Sequence, residues 1–209
     1  MTRVFLHGLG QNADDWMAVQ SHLTGNFETV TPDLSALLHR GDGTYNSLLQ
    51  SVSAECCSLP GPLDLCGLSL GSVLALHHAI LYPNQLHSLV LIAPQVRMPR
   101  RLLAFQNALF RLLPERLVTG GTVLGKKELL TLTRSMTKLD LTAGLSSVIC
   151  PTLVICGQRD RANRRAAEDL AAALPRAKLW IAPAAGHQVN LEAPQTLAEA
   201  LNAFWCPLQ

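Results

Sequence analysis

The chain has 209 residues, of which 48% are hydrophobic and 15% are charged. This length and balance suit one folded domain with a sizeable core and exclude a disordered chain. The formal net charge of +2 is too small to favour binding to nucleic acid, and the sequence contains no nucleic-acid-binding motif.

The six cysteines form neither a C-x-x-C pair nor a zinc-binding spacing with histidine, so we expect no metal, and nothing in the sequence calls for a cofactor. The opening MTRVFLHG lacks the apolar region of a signal peptide. No apolar run reaches the ~18 residues that a membrane span needs. We therefore expect reduced thiols, a cytoplasmic location and no membrane span.

The first part of the chain alternates short apolar strands with helices. A glycine-rich loop, His7-Gly8-Leu9-Gly10, follows the first strand, and glycines there allow backbone to approach a ligand closely. The second strand alternates polar and apolar residues, which is typical of a sheet edge. The predicted elements are a strand at 3–7, a helix from 14 or 15 to about 23, a strand at 27–31, a loop at 37–45 and a helix at 47–59.

The stretch Leu63–Leu81 combines a short apolar strand, the tight turn Gly67-Leu68-Ser69-Leu70-Gly71 and a helical pattern. Strand, G-x-S-x-G and helix in this order form the context of a nucleophile elbow. Such a turn holds the Ser69 hydroxyl above the end of the strand. The first N–H groups of the following helix then point towards whatever the serine attacks.

The second half repeats the alternation, with central strands that are apolar throughout. The predicted elements are strands at 86–93, 152–156 and 177–181 and helices at 163–174 and 194–205. Strands without polar alternation are buried on both faces. The sequence therefore predicts an α/β fold in which a mostly parallel sheet is covered by helices on both faces.

Residues 94–145 interrupt this alternation. They contain two helix candidates, at 100–113 and 126–136, with Gly120-Gly121 between them and no strand. From Arg97 to Lys138 there are nine Lys or Arg residues and two Glu residues. We interpret 94–145 as a small basic helical cap, inserted into a core domain made of residues 1–93 and 146–209.

A serine hydroxyl needs a base, a group that orients the base, and donors for the oxyanion. Asp160 follows one predicted strand in Gly-Gln-Arg-Asp, and His187 follows the next in Ala-Gly-His. The carboxyl ends of parallel strands lie at one edge of the sheet, where such groups can meet. The chain order Ser69, Asp160, His187 is that of one known hydrolase architecture. The loop at 7–10 can supply a backbone N–H donor.

Four motifs together, HGLG, GLSLG, GQRD and GHQVNLEAP, resemble the α/β-hydrolase fold superfamily over nearly the whole chain. The resemblance implies that Ser69 is the nucleophile, His187 the general base and then acid, and Asp160 the orienting carboxylate. It also implies an oxyanion hole made by the backbone N–H groups of Leu9 and Leu70. The implied mechanism forms an acyl-enzyme, which water then hydrolyses.

Members of this superfamily usually begin with two further strands, whereas the HG loop here begins at residue 7. We therefore expect an N-terminally shortened sheet with residues 28–31 at its edge. Other readings of single residues stay open: Asp160 as a helix cap and His187 as a loop histidine. We expect His7 to shape its loop, Glu192 to order the loop behind His187, and His77 and His78 to be packing or surface residues.

The leading functional hypothesis is a carboxylic ester hydrolase that acts on a small-molecule substrate with a small or medium acyl group. Arg97, Arg100 and Arg101 are candidate contacts to an anionic group of that substrate. Three alternatives stay open: a C–C bond hydrolase or lyase with the same triad, a non-catalytic ligand-binding protein, and a protein that assembles through its sheet edge. The sequence does not predict the oligomeric state.

Overall fold

The computed structural model describes residues 1–98 and 124–206, and the statements below concern those residues. Its centre is one sheet of six parallel strands in the order β2-β1-β3-β4-β5-β6. This confirms the predicted α/β fold class. The strands are β1 (Thr2–Leu6), β2 (Glu28–Val30), β3 (Leu63–Leu68), β4 (Leu86–Ile92), β5 (Thr152–Gly157) and β6 (Ala177–Ala182).

Helices follow most of the strands. They are α1 (Met17–Gln20), α2 (Leu34–Arg40), α3 (Tyr45–Ser58), α4 (Leu70–Leu81), α5 (Lys126–Ser135), α6 (Arg161–Ala173), α7 (Val189–Glu192) and α8 (Pro194–Trp205). Three short 3₁₀ turns lie at Ala13–Trp16, Pro83–Gln85 and Thr142–Ser147. None of these helices is long and apolar enough to cross a membrane.

Helices cover both faces of the sheet because successive strand residues point to opposite sides. In β1, Val4 and Leu6 join the core beneath α2, α3, α4 and α6, whereas Phe5 joins the core beneath α1 and α8. All five residues of β1 are buried. The central strands are accordingly mostly apolar, as a sheet covered on both faces requires. The prediction that they are apolar throughout is wrong, since Arg3, Asp64 and Ser88 are buried in β1, β3 and β4.

The strand β2 lies at one edge of the sheet and pairs with β1. Its residues Glu28 and Thr29 are exposed. The exposure of both residues agrees with the predicted edge position, since an edge strand has a neighbour on one side alone.

The prediction of a loop over residues 37–45 is wrong for its first half, because α2 spans Leu34–Arg40. The carboxylate of Asp33 caps this helix by accepting from the backbone N–H groups of Ser35 at 2.9 Å and Ala36 at 3.1 Å. Leu34, Leu37 and Leu38 are buried. The cap and the leucine spacing are both helical signals, and Gly41 and Gly43 only end the helix.

The described part of the proposed cap contains α5, whose span is within one residue of the predicted helix at 126–136. Leu129 and Leu132 of α5 are buried in the same core as α2 and α3. Two polar contacts accompany this packing: His39 Nε2 lies 2.8 Å from Glu128 Oε1, and the Tyr45 N–H donates to Ser135 Oγ at 2.8 Å. The other predicted helix, at 100–113, lies outside the described residues, and the division into core and cap stays a prediction.

Candidate active site

Ser69 occupies a sharp turn between β3 and α4. Its backbone angles, φ 52° and ψ −112°, are rare for a residue with a side chain. A Cβ atom at Gly67 would overlap the carbonyl group of Gly71, and a Cβ atom at Gly71 would overlap the carbonyl group of Leu6. Both glycines of the G-x-S-x-G turn are therefore required by close backbone contacts.

The structure brings Ser69, His187 and Asp160 into one chain of contacts. His187 lies in the loop after β6, and its Nε2 is 3.1 Å from Ser69 Oγ. Its Nδ1 is 2.8 Å from Asp160 Oδ2. Because a carboxylate only accepts, Nδ1–H donates to Asp160, and Nε2 is then free to accept the Ser69 hydroxyl proton. The Asp160 side chain is 5% exposed and that of His187 is 44% exposed, so the imidazole is accessible from solvent.

Asp160 also caps a helix, so its two predicted roles are compatible. It precedes α6 and its Oδ1 accepts from the backbone N–H of Asn163 at 3.2 Å. Its Oδ2 meanwhile faces His187. This helix-capping hydrogen bond fixes the Asp160 carboxylate at the end of β5, next to the loop that carries His187.

A cavity of about 140 Å³ opens beside the Ser69 hydroxyl. Leu9 and Leu70, the residues whose backbone N–H groups we predict as oxyanion donors, both line it. Leu70 is the first residue of α4, where N–H groups have no partner within the helix. The remaining described lining residues are Val73, Ala93, Gln95, Met98, Leu132, Thr133 and Met136. The wall is therefore largely apolar.

His7 shapes the loop that carries Leu9, as the sequence led us to expect. Its Nδ1 lies 2.9 Å from the carbonyl oxygen of Gly8, and its Nε2 accepts from the backbone N–H of Leu34 at 3.0 Å. A ring with one donating and one accepting nitrogen is neutral. Burial lowers the pKa of His7 and favours this neutral form.

Gln11 and Asn190 join the loop at 7–10 to the histidine loop, and the sequence reasoning missed both. Gln11 Oε1 accepts from the Gly8 N–H, and Gln11 Nε2 donates to Asn190 Oδ1, each at 3.0 Å. Asn190 Nδ2 also donates to the Asp15 carbonyl oxygen at 3.1 Å. Both side chains are buried. The sequence offers two signals for them: Gln11 directly follows the HGLG motif, and Asn190 lies within the GHQVNLEAP motif.

Glu192 holds the loop around His187, in agreement with the prediction. Its carboxylate accepts from the backbone N–H groups of Gly186 at 2.8 Å and Gln188 at 3.2 Å, one on each side of the histidine. Arg159 Nη2 donates to the same carboxylate at 3.0 Å. His77 and His78 lie on α4 and contact Tyr45 and Ser53, which agrees with packing roles.

Of the three candidate anion-binding arginines, Arg97 alone lies within the described residues. Arg97 Nε donates to Asp140 Oδ2 at 2.8 Å, and the arginine side chain is 71% exposed. Arg97 is not among the described lining residues of the Ser69 cavity. Arg100 and Arg101 lie outside the described residues. Within residues 1–98 and 124–206, no three His, Cys, Asp or Glu side chains form a metal-binding group.

Known proteins share this fold and match this sequence over most of its length. The model of the alpha/beta hydrolase family matches residues 4–200, so the chain belongs to that family. The chain is 27% identical to the pimeloyl-[acyl-carrier protein] methyl ester esterase of Nitrosomonas europaea, with 96% of this chain and 94% of that protein aligned. It is thus an enzyme of the hydrolase class with an esterase relative, which confirms the predicted class of enzyme.

Two solved structures show the likeness in three dimensions. An esterase from Thermogutta terrifontis has a TM-score of 0.79 at 22% identity, covering 100% of this chain and 90% of that one. The enol-lactonase from Burkholderia xenovorans LB400 has a TM-score of 0.83 at 16% identity, covering 98% of this chain and 91% of that one. At these identities the likeness shows the fold alone.

Proposed function

We propose that this protein is a carboxylic ester hydrolase that acts through an acyl-enzyme on Ser69. His187 is the general base and then the general acid, and Asp160 is the carboxylate that orients it. The observation that carries the proposal is the contact chain from Ser69 Oγ to His187 Nε2 at 3.1 Å and from His187 Nδ1 to Asp160 Oδ2 at 2.8 Å. Any two of these three residues are more than 25 positions apart in the chain, and all three meet at the carboxyl ends of the strands.

The reaction follows from the position of these groups. His187 Nε2 takes the proton of Ser69 as Oγ attacks the ester carbonyl carbon, and Asp160 stabilises the imidazolium that forms. The backbone N–H groups of Leu9 and Leu70 donate to the oxyanion of the tetrahedral intermediate. His187 then protonates the leaving alcohol. Water then attacks the acyl-enzyme while His187 takes its proton, and His187 returns that proton to Ser69 Oγ as the carboxylic acid leaves.

The cavity beside Ser69 supports a small or medium acyl group. Its volume of about 140 Å³ is well below the roughly 300–1,000 Å³ of sites for drug-sized ligands. Apolar side chains such as Leu9, Val73 and Met136 line it, which favours an aliphatic chain over a charged group at this depth. The Nitrosomonas europaea relative is named for a methyl ester substrate, so we propose methyl esters as the first substrates to examine.

An ester panel tests this function. We would measure hydrolysis of p-nitrophenyl esters of increasing acyl length by the wild-type protein and by Ser69→Ala. The proposal predicts turnover of the shorter esters and its loss in the variant by a factor of about 10³ or more. Turnover that persists in Ser69→Ala, or a folded wild-type protein that cleaves none of the esters, would reject the assignment.

A paired comparison tests whether cap arginines recognise an anion. The substrates are the methyl monoester of a dicarboxylic acid and the methyl ester of the monocarboxylic acid of equal length. If Arg100 and Arg101 bind the second carboxylate, the charged ester has the lower KM, and the difference shrinks as salt rises. Equal KM values would remove this part of the proposal.

The six cysteines support a cytoplasmic location. All six lie within the described residues and are free thiols. Four of them are buried, and burial raises the pKa of Cys56 to about 12 and that of Cys156 to about 11. Cysteines that form no disulfide are typical of a reducing compartment such as the cytoplasm.

A further inference from the structure

Two further polar side chains, Asn163 and Gln95, extend the chain of contacts beyond Asp160. Asn163, in the first turn of α6, donates from Nδ2 to both oxygens of Asp160, at 3.0 Å to Oδ1 and 2.8 Å to Oδ2. Gln95, which follows β4, donates from Nε2 to Asn163 Oδ1 at 2.7 Å. Hydrogen bonds thus run without a gap from Gln95 through Asn163, Asp160 and His187 to Ser69.

We propose that Asn163, itself oriented by Gln95, is a positioning residue that holds the Asp160 carboxylate in the orientation in which it accepts from His187. The proposal rests on the proposed function of Ser69, His187 and Asp160. It assigns Asn163 a role through Asp160 rather than any contact with the substrate.

Asn163 and His187 supply all the hydrogen bonds that the Asp160 carboxylate receives in the described part of the chain. Oδ1 accepts from the backbone N–H and the side-chain Nδ2 of Asn163, and Oδ2 accepts from Asn163 Nδ2 and His187 Nδ1. The carboxylate is buried, with 7% of the residue exposed. Without the Asn163 amide, Oδ1 would keep only the 3.2 Å backbone contact, and rotation of the carboxylate would be weakly opposed.

The chemistry of the partners fixes the direction of the Asn163 amide. An ionised carboxylate only accepts, so Asn163 must turn Nδ2 towards Asp160 and Oδ1 away from it. Oδ1 then needs a donor, and Gln95 Nε2 supplies one at 2.7 Å. Gln95 also lines the Ser69 cavity, so it lies between the substrate side of the site and the carboxylate side.

The same amide acts on the imidazole tautomer through the carboxylate, since Asn163 Nδ2 and a protonated His187 Nδ1 are both donors and do not bond to each other. Asn163 Nδ2 lies 3.1 Å from His187 Nδ1, and both nitrogens converge on Asp160 Oδ2. Two donors share one acceptor oxygen in this arrangement. The carboxylate must stay in place for Nδ1 to carry the proton and for Nε2 to accept from Ser69. Loss of the amide therefore weakens the base without touching the acyl cavity.

The central experiment compares Asn163→Leu with Asn202→Leu as a matched control. Asn202, on α8, makes two side-chain hydrogen bonds of its own, to the His22 carbonyl oxygen and from the Thr24 N–H, away from the site. For p-nitrophenyl butyrate, we expect Asn163→Leu to lower kcat about tenfold or more with KM within about twofold of wild type. Asn202→Leu should leave both constants unchanged.

Two further variants test whether Asn163 acts as a donor to Asp160 and whether Gln95 acts through Asn163. Asn163→Asp keeps the shape but turns a donor into an acceptor against Asp160, so kcat should fall below that of Asn163→Leu. Gln95→Leu should lower kcat by less than Asn163→Leu. If Gln95 acts through Asn163, adding Gln95→Leu to Asn163→Leu should cause no additional loss of kcat. If the fold-losses of kcat from the two substitutions multiply in the double variant, the two residues act independently and the proposed role of Gln95 is rejected.

A long-range ¹H–¹⁵N spectrum of protein labelled at histidine nitrogens gives a readout that needs no ester. The His187 signals, assigned with His187→Gln, should report Nδ1–H in the wild type and a mixture of tautomers in Asn163→Leu. If this change appears in a protein that cleaves no ester, the esterase proposal fails and the positioning role stands. If the wild type cleaves esters and Asn163→Leu matches it in kcat and tautomer, the positioning role is rejected.

Discussion

Ser69 stands in a backbone conformation that its surroundings impose. Its N–H donates to the Ile92 carbonyl oxygen at 2.9 Å, and its carbonyl oxygen accepts from Val73 N–H at 3.1 Å and from Ser72 Oγ at 2.7 Å. Such strain costs of order 1–3 kcal/mol and persists only where neighbours fix it. The small residues Gly67, Gly71 and Ser72 make room for these contacts.

Gly71→Ala should destabilise the protein by about 3 kcal/mol, because the added methyl group meets the carbonyl groups of Leu6 and His7. Urea unfolding measures the difference. Gly61→Ala is the matched control: Gly61 has φ +72° but nothing within 4 Å of an added Cβ, so about 1 kcal/mol is expected. An equal effect at both positions would contradict the steric explanation of the elbow.

Gln11→Leu should destabilise the protein by about 1–3 kcal/mol and lower kcat. The substitution leaves the buried Gly8 N–H and Asn190 side chain with fewer partners, and it frees the loop that carries Leu9. Urea unfolding and ester turnover are the measurements, with the exposed Gln50→Leu as control. An unfolding free energy and a kcat that both match the control would show that the Gln11 link is dispensable.

At the scale of elements, the sequence predicted most of the strands and helices because burial dictates their apolar patterns. The helix at 194–205 has the predicted span, and the strand at 177–181 ends one residue later than predicted. The helix α2 departs from the loop prediction because the Asp33 cap and the buried leucines stabilise a helix up to Gly41. The first helix, predicted from 14 or 15 to about 23, begins as a 3₁₀ turn at Ala13 after the N-cap residue Asn12 and ends at Gln20.

The strands β1 and β3 share a buried ion pair that the sequence patterns did not reveal. Arg3 and Asp64 are register partners, and their side chains are each 1% exposed, with Nε 3.5 Å from Oδ2. The guanidinium carbon lies 3.7 Å from the ring centre of Phe27 and 4.1 Å from that of Trp205. Asp64 also accepts from Ser88 Oγ at 2.6 Å. The pair therefore joins strands and helix at the end of the sheet away from Ser69.

Asp64→Ala should destabilise the protein by roughly 3–5 kcal/mol, since it leaves the Arg3 charge buried without its partner. Glu168→Ala, which breaks the exposed i,i+4 pair with Arg164 on α6, should change stability by about 0.5 kcal/mol or less. Chemical denaturation of the two variants measures both. Similar losses would mean that burial does not govern the strength of these pairs.

At the scale of the whole molecule, three neutral histidines predict how stability depends on pH. Burial lowers the pKa values of His7, His77 and His78 in the folded protein. The folded state therefore binds fewer protons than the unfolded state, whose histidines titrate near about 6.5. Their contribution to stability is full above that pH and is lost as the pH falls below it.

The free energy of unfolding in urea should accordingly fall between pH 7.5 and pH 5.5. His77→Gln, at a half-buried position on α4, should flatten the slope by removing one of the three groups. The carboxylate of Glu128, whose pKa the Gly125 N–H lowers, titrates below this range and does not contribute. A free energy that is constant or rises towards pH 5.5 would contradict the prediction.

Only part of the candidate site could be predicted from the sequence, because some of its contacts join residues that lie far apart in the chain. Ser69, Asp160 and His187 follow strand ends within recognisable motifs, and parallel strand order brings such ends together. Gln95, Asn163 and Gln11 belong to no quoted motif, and Asn190 lies in GHQVNLEAP without a role that the motif indicates. Their contacts join residues 68 and 179 positions apart, and only the packed fold determines them.

Covalent labelling of the nucleophile tests the central claim most directly. Wild-type protein, Ser69→Ala and His187→Gln would be treated with a fluorophosphonate and analysed by intact mass and peptide mapping. The account predicts one adduct on the wild-type protein, located at Ser69, none on Ser69→Ala, and labelling of His187→Gln slowed by orders of magnitude. An adduct of equal extent on Ser69→Ala, or equally fast labelling of His187→Gln, would contradict it.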